Sequence, residues 1–137
     1  MKDSFVAKFE SKDAESNVIQ LAEAEAQDNL GVCGLLRGIR DRAIMLELRL
    51  RGGRVEACGY MWLDNATFDP SEGITLYFAR KVVKISGRNL DTQIRPGVNL
   101  FEALLRHRVT WLREADLADQ FYGKIAIERI EVEQLGG

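Results

Sequence analysis

The run AIMLELRLRGGRVEACGYMWL constrains the fold more than any other part of the chain. Ile44, Leu46, Leu48 and Leu50 alternate with Glu47, Arg49 and Arg51, the two-residue period of a strand with one face in a core and the other in water. Gly52-Gly53 then reads as a two-residue hairpin turn, whose favoured form needs positive φ at both central positions. The returning strand sets Val55, Ala57, Gly59, Met61 and Leu63 on one face and Arg54, Glu56, Cys58, Tyr60 and Trp62 on the other. On this reading Tyr60 and Trp62 stand on a wet face and require a cover, from a helix, a tail or a second subunit. Asp64-Asn65 follows as a pair of turn residues.

The flanking segments complete the expected architecture. Val18, Ile19, Ala22, Ala26 and Leu30 fall on one face of a helix that Gly31 would end. GVCGLLRGIRDR is compatible with a further short helix. Short strands follow at NATF, GITLYFA and VVKIS, separated by turn signals at intervals of roughly ten residues. Asn99 with Glu102 is a capping box with Asn in the cap position. It opens an apolar stripe, Leu100, Phe101, Leu104, Leu105, Val109, Trp111 and Leu112, that predicts a long amphipathic helix. KIAIERIEVEQL alternates twice out of phase, which predicts a strand with a bulge near Glu128-Arg129.

The expectation is therefore one α+β domain over 1–137. A helical N-terminal region (1–43) precedes a β core (44–90), a helix (99–121) and a terminal strand (124–133). The β core should be a strongly bent antiparallel sheet or a small five-stranded barrel.

Composition narrows the function classes. With 137 residues, 46% hydrophobic and 29% charged, the chain can bury a core without disulfides or metals. It has two cysteines 25 positions apart and a single histidine, so a Cys/His zinc site or a His-based triad lacks its parts. Cys33 and Cys58 read as small buried hydrophobes in a reducing compartment. Phosphate-loop, nucleophile-elbow and dinucleotide signatures are absent, and no cofactor is expected. His107, between Arg106 and Arg108, reads as a surface side chain. Asp64, Asp69 and Glu72 could pair as carboxylates, but all sit where turns are expected. No run is long and apolar enough to span a bilayer and the N-terminus has no signal-peptide core, so the expected location is cytoplasmic.

Charge is segregated. Residues 1–30 carry three basic and seven acidic side chains, 31–113 fourteen and eight, and 114–137 two and six. Arginine dominates the basic middle, in groups at 37–42, 49–54, 80–88 and 106–113. Either the acidic ends cover this middle or a basic face is left for an anionic partner.

Gly53-Arg54, Gly59 and Asp64 stand in the order of the first motif of Sm-like proteins. VVKISGRN resembles the second, with Gly87-Arg88 reversed relative to the family's Arg-Gly. Over residues 44–90 the chain thus resembles the Sm/Hfq-type small β-barrel; a pleckstrin-like half-barrel fits the same element order. The Sm resemblance implies a homo-oligomeric ring binding single-stranded RNA, with Asp64, Asn65 and Arg88 near a base pocket. Tyr60, Trp62 and Arg54 add aromatic stacking and charge to that candidate surface. The leading expectation is a non-enzymatic binding or assembly module, self-associating, with a protein or anionic partner; the alternative is Sm-like RNA binding through the arginine-rich middle.

Overall fold

A computed structural model describes residues 27–115 and 125–135. Eleven strands, one short α-helix and two 3-10 turns occupy them. The strands are β1 (Gln27–Asn29), β2 (Cys33–Leu36), β3 (Met45–Arg49), β4 (Val55–Gly59), β5 (Leu63–Asp69), β6 (Gly73–Phe78), β7 (Lys81–Arg88), β8 (Gln93–Arg95), β9 (Val98–Asn99), β10 (Val109–Arg113) and β11 (Ala126–Gln134). Helix α1 is Leu100–Leu105. One sheet runs β1-β2-β10-β3-β4, with β10 and β3 parallel and the other neighbours antiparallel. A second, fully antiparallel sheet runs β11-β7-β6-β5, and β8-β9 forms a small ribbon.

Alternation explains the core. Leu46 and Leu48 of β3, Ile74, Leu76 and Phe78 of β6, and Ile127 and Ile130 of β11 are all buried. They join Leu35, Leu112, Leu100 and Leu104 in one hydrophobic cluster drawn from both larger sheets and α1. Each such side chain contributes about 1.5–3 kcal/mol through removal from water.

This mostly β arrangement corrects the expected α+β fold on several points. The described strands form two open sheets and a ribbon, with no closed five-stranded barrel among them. The long helix over 99–121 is replaced by a helix of six residues and then β10. Its cap forms as read: the Asn99 side chain accepts from the Glu102 N–H at 2.8 Å. The helix stops at Arg106, and His107 takes φ +59, outside the helical region. Val109, Thr110 and Trp111 are β-branched or aromatic, and β10 is hydrogen-bonded on both sides, to β2 and to β3. Pairing of that kind overrides the modest helical preference of an apolar stripe. Residues 116–121 lie outside the described chain.

The N-terminal region is corrected in part. Gln27–Asn29 pairs with Cys33–Leu36 as a hairpin, so the end of the expected helix and the uncertain GVCGLLRG segment are both strand. The rest of that helix lies outside the described residues.

The β3–β4 hairpin forms, but around a different loop. Leu50 N–H donates to the Arg54 carbonyl at 2.8 Å, leaving Arg51, Gly52 and Gly53 as a three-residue loop. Both glycines have the expected positive φ, +85 and +88. The Asp64-Asn65 turn is also displaced. The chain turns at the 3-10 segment Tyr60–Trp62, and Asp64 is the extra residue of a bulge inside β5, where the register shifts between Leu63 and Asn65. The bulge in β11 sits between Ile127 and Arg129, where the phase slip pointed. The Glu128 carbonyl accepts from Arg51 Nη2 at 2.7 Å, so the bulge backbone is satisfied.

Candidate functional site

The site-like region lies beside β4, the last strand of its sheet. Register in the hairpin pairs Leu46 with Cys58 and Leu48 with Glu56. Tyr60 N–H donates to the Ile44 carbonyl at 2.9 Å, so the hydrogen-bonded pairs are the even-numbered ones. The main-chain groups of Val55, Ala57 and Gly59 therefore point away from β3, toward an edge that no described strand pairs.

Against this edge opens a groove of about 370 Å³. Ala57, Cys58 and Gly59 line one side, Phe78, Ala79, Arg80 and Lys81 from the β6–β7 turn line the other, and Trp62 walls it. Cys58 and Phe78 are almost fully buried, whereas Trp62 is 56% exposed. The 3-10 turn at residues 60–62 explains the contrast: Cys58 and Tyr60 follow the strand alternation inward, and the turn breaks it so that Trp62 points out. The indole lies against Gly59, where an added Cβ would meet Cδ1 at 3.0 Å. Met45, 45% exposed, approaches the same position with its sulfur, and Met61, next to Trp62 in the chain, is 80% exposed. A half-covered apolar surface thus continues past the groove. Glu56 joins the two sides, with Arg54 at 3.3 Å and Lys81 at 3.8 Å.

The expected site residues do not converge. Tyr60 is a core residue: its hydroxyl donates to the Val109 carbonyl at 2.7 Å, and its ring stacks on His107 at 4.4 Å. It is therefore neither on a wet face nor placed to stack a base. Arg54 is tied to Glu56 at the edge of β4, next to the groove. Asp64 and Asn65 are exposed on β5. Asn65 lies level with Tyr77 and Val82, whereas Arg88 is six positions further along β7, roughly 20 Å away at strand rise. Arg88 pairs with Glu128 at 3.1 Å. Of the six, Trp62 and Arg54 border one surface. Sequence reasoning missed the contribution of Phe78 and Ala79, which line the groove only because the β6–β7 turn lies across from β4.

Several groups with chemical potential serve structure. Burial pushes the Cys33 thiol up to about 12. Burial also raises Cys58, outweighing the lowering by Lys81, so the groove floor carries a thiol rather than a thiolate. Asp69 accepts from the Ser71 N–H at 2.8 Å and its hydroxyl at 2.7 Å, which lowers its pKa and closes the β5–β6 turn. No cluster of three or more potential metal ligands occurs among the described residues, and no helix there is long and apolar enough to cross a membrane.

His107 is half-buried rather than a surface residue. Burial, then the nearby Arg42 charge, hold its pKa below the ordinary 6.5. The unfolded chain therefore takes up the proton first as pH falls. The stability contribution is full above pH 6.5 and is lost as pH drops below it. His107→Asn should flatten that part of a denaturation-midpoint profile, because Asn tolerates positive φ and carries no titrating ring. An unchanged slope would assign the dependence to another group.

No family model matches the chain, and no curated protein or solved structure matches it either.

Proposed function

We propose that the protein is a non-enzymatic binding module that self-associates through the β4 edge and the Trp62 groove. The observation carrying this reading is the half-exposed indole of Trp62 over an apolar groove, next to a strand edge that no described strand pairs. Such an edge offers hydrogen bonds to an added strand, and the groove offers a seat for one of its apolar side chains. Met45 and Met61 extend the contact with adaptable thioether side chains.

Light scattering across a concentration series tests it. The parent protein should pass from monomer to a defined oligomer. Trp62→Arg should remain monomeric, with a melting temperature within about 2 °C of the parent, since an exposed side chain contributes little to the fold. A parent that stays monomeric at the highest concentrations rejects self-association through this surface. An oligomer unaffected by Trp62→Arg moves the interface elsewhere.

A further inference from the structure

The groups on this chain most open to oxidation converge on the surface that carries Trp62. The sequence holds three methionines, and the two beyond Met1 are Met45 and Met61. Met45 opens β3 and pairs with Gly59 of β4, while Met61 is the middle residue of the 3-10 turn, between Tyr60 and Trp62. A Cβ added at Gly59 would meet the indole at 3.0 Å and the Met45 sulfur at 3.6 Å, so thioether and indole share one contact point. Both methionines are exposed, and so is Ile44, whose carbonyl accepts from the Tyr60 N–H. The two thioethers stand open to water, one against Trp62 and the other next to it in the chain.

The competing targets of a peroxide are shielded. Cys33 and Cys58, the two thiols, are buried. Burial also keeps them protonated, whereas the thiolate is the form that attacks peroxide. A thioether has no proton to lose, so exposure governs its reaction. Oxygen added to the sulfur turns a flexible apolar side chain into a polar, chiral one. The sulfoxide oxygen accepts hydrogen bonds from water, and burial in an apolar contact removes them without replacement.

Resting on the self-association proposed above, we infer that Met45 and Met61 are oxidation sites whose conversion to sulfoxides dissolves the oligomer. The oxidant is hydrogen peroxide. The sulfur attacks one peroxide oxygen, so the S–O bond forms as the O–O bond breaks. The departing hydroxide takes the proton from the transferred oxygen and leaves as water; the sulfur loses two electrons and the peroxide gains them. A thiol-dependent sulfoxide reductase reverses the step: two thiols become a disulfide and the oxygen leaves as water. Association in turn covers the thioethers, so the free protein is oxidised faster than the oligomer.

The test follows the full chain by peptide mass mapping and light scattering before and after hydrogen peroxide. Met45 and Met61 should each gain one oxygen while both cysteines stay unmodified. The dissociation constant of the oligomer should rise about tenfold or more. The melting temperature should stay within about 2 °C, because both side chains are exposed. Methionine sulfoxide reductases for both epimers, with dithiothreitol, should restore the original size. The double variant Met45→Leu, Met61→Leu, whatever its own affinity, should be no different after peroxide than before. An untreated parent that stays monomeric rejects the self-association itself. An oligomer that survives conversion of both sulfurs overturns the switch and leaves the self-association standing. Peroxide-driven dissociation of the double variant, or a large fall in melting temperature on oxidation, overturns it too.

Discussion

Gly73→Ala should remove about 4 kcal/mol of stability, a large share of what a domain of this size possesses. Gly73 closes the β5–β6 turn at φ +106, a region that residues with a Cβ rarely enter. The backbone also leaves no room: an added Cβ would run into the Ile85 carbonyl oxygen, with Ser86 Cα 3.2 Å away. The obstacle is main chain of β7, which pairs with β6 through Ile74 and Ile85 and cannot rotate aside as a side chain would. Gly97 is the control. Its φ is +81, but nothing lies within 4 Å of a Cβ there, so Gly97→Ala should cost about 1 kcal/mol from backbone strain alone. Urea midpoints of the two variants measure the difference. Equal losses would mean that β7 does not lie against Gly73 as described.

What the sequence concealed follows from a few identifiable residues. Strands β3 and β6 were legible because each alternates cleanly, and the β11 bulge announced itself as a phase slip. The β3–β4 hairpin was legible as a hairpin, yet the face of β4 came out reversed. A two-residue turn at Gly52-Gly53 would pair Leu48 with Ala57; the three-residue loop pairs it with Glu56. A slip of one residue moves every side chain to the other face. Cys58 and Tyr60 therefore belong to the core, and the puzzle of a cover for two aromatics reduces to Trp62 alone. Nothing local in RLRGGRVE distinguishes the two loops, because glycines at both positions satisfy either.

The candidate surface was less legible still, because it joins segments distant in the chain. Trp62 was visible as an aromatic in need of a neighbour, but the β6–β7 turn reaches it only through sheet topology. The arginine-rich middle was visible as composition. Its distribution was not: Arg51 is spent on the Ala115 and Glu128 carbonyls, Arg49 covers the Trp111 ring at 4.3 Å, and Arg88 pairs with Glu128. Those cations tie the fold together. Arg108 likewise holds the Leu36 and Arg37 carbonyls, some seventy positions away in the chain.

Leu112→Ala should cost about 3 kcal/mol, and Leu105→Ala under about 0.5 kcal/mol. The pair discriminates between the two conformations that the segment after Asn99 could take. In one long helix, residues seven apart share a face, so Leu105 and Leu112 would lie on the same buried stripe and lose comparable amounts. In the structure they part company. Leu105 ends α1 and is 47% exposed, whereas Leu112 is fully buried in β10, level with Cys33 of β2 and Leu48 of β3. Truncating it opens a cavity in the core against the face of a central strand, whose main chain cannot shift to fill it without breaking hydrogen bonds on both sides. Urea denaturation of both variants reads the contrast directly. Comparable losses would restore the helix and remove β10. Without that strand β2 and β3 have no common neighbour, and the first sheet divides in two.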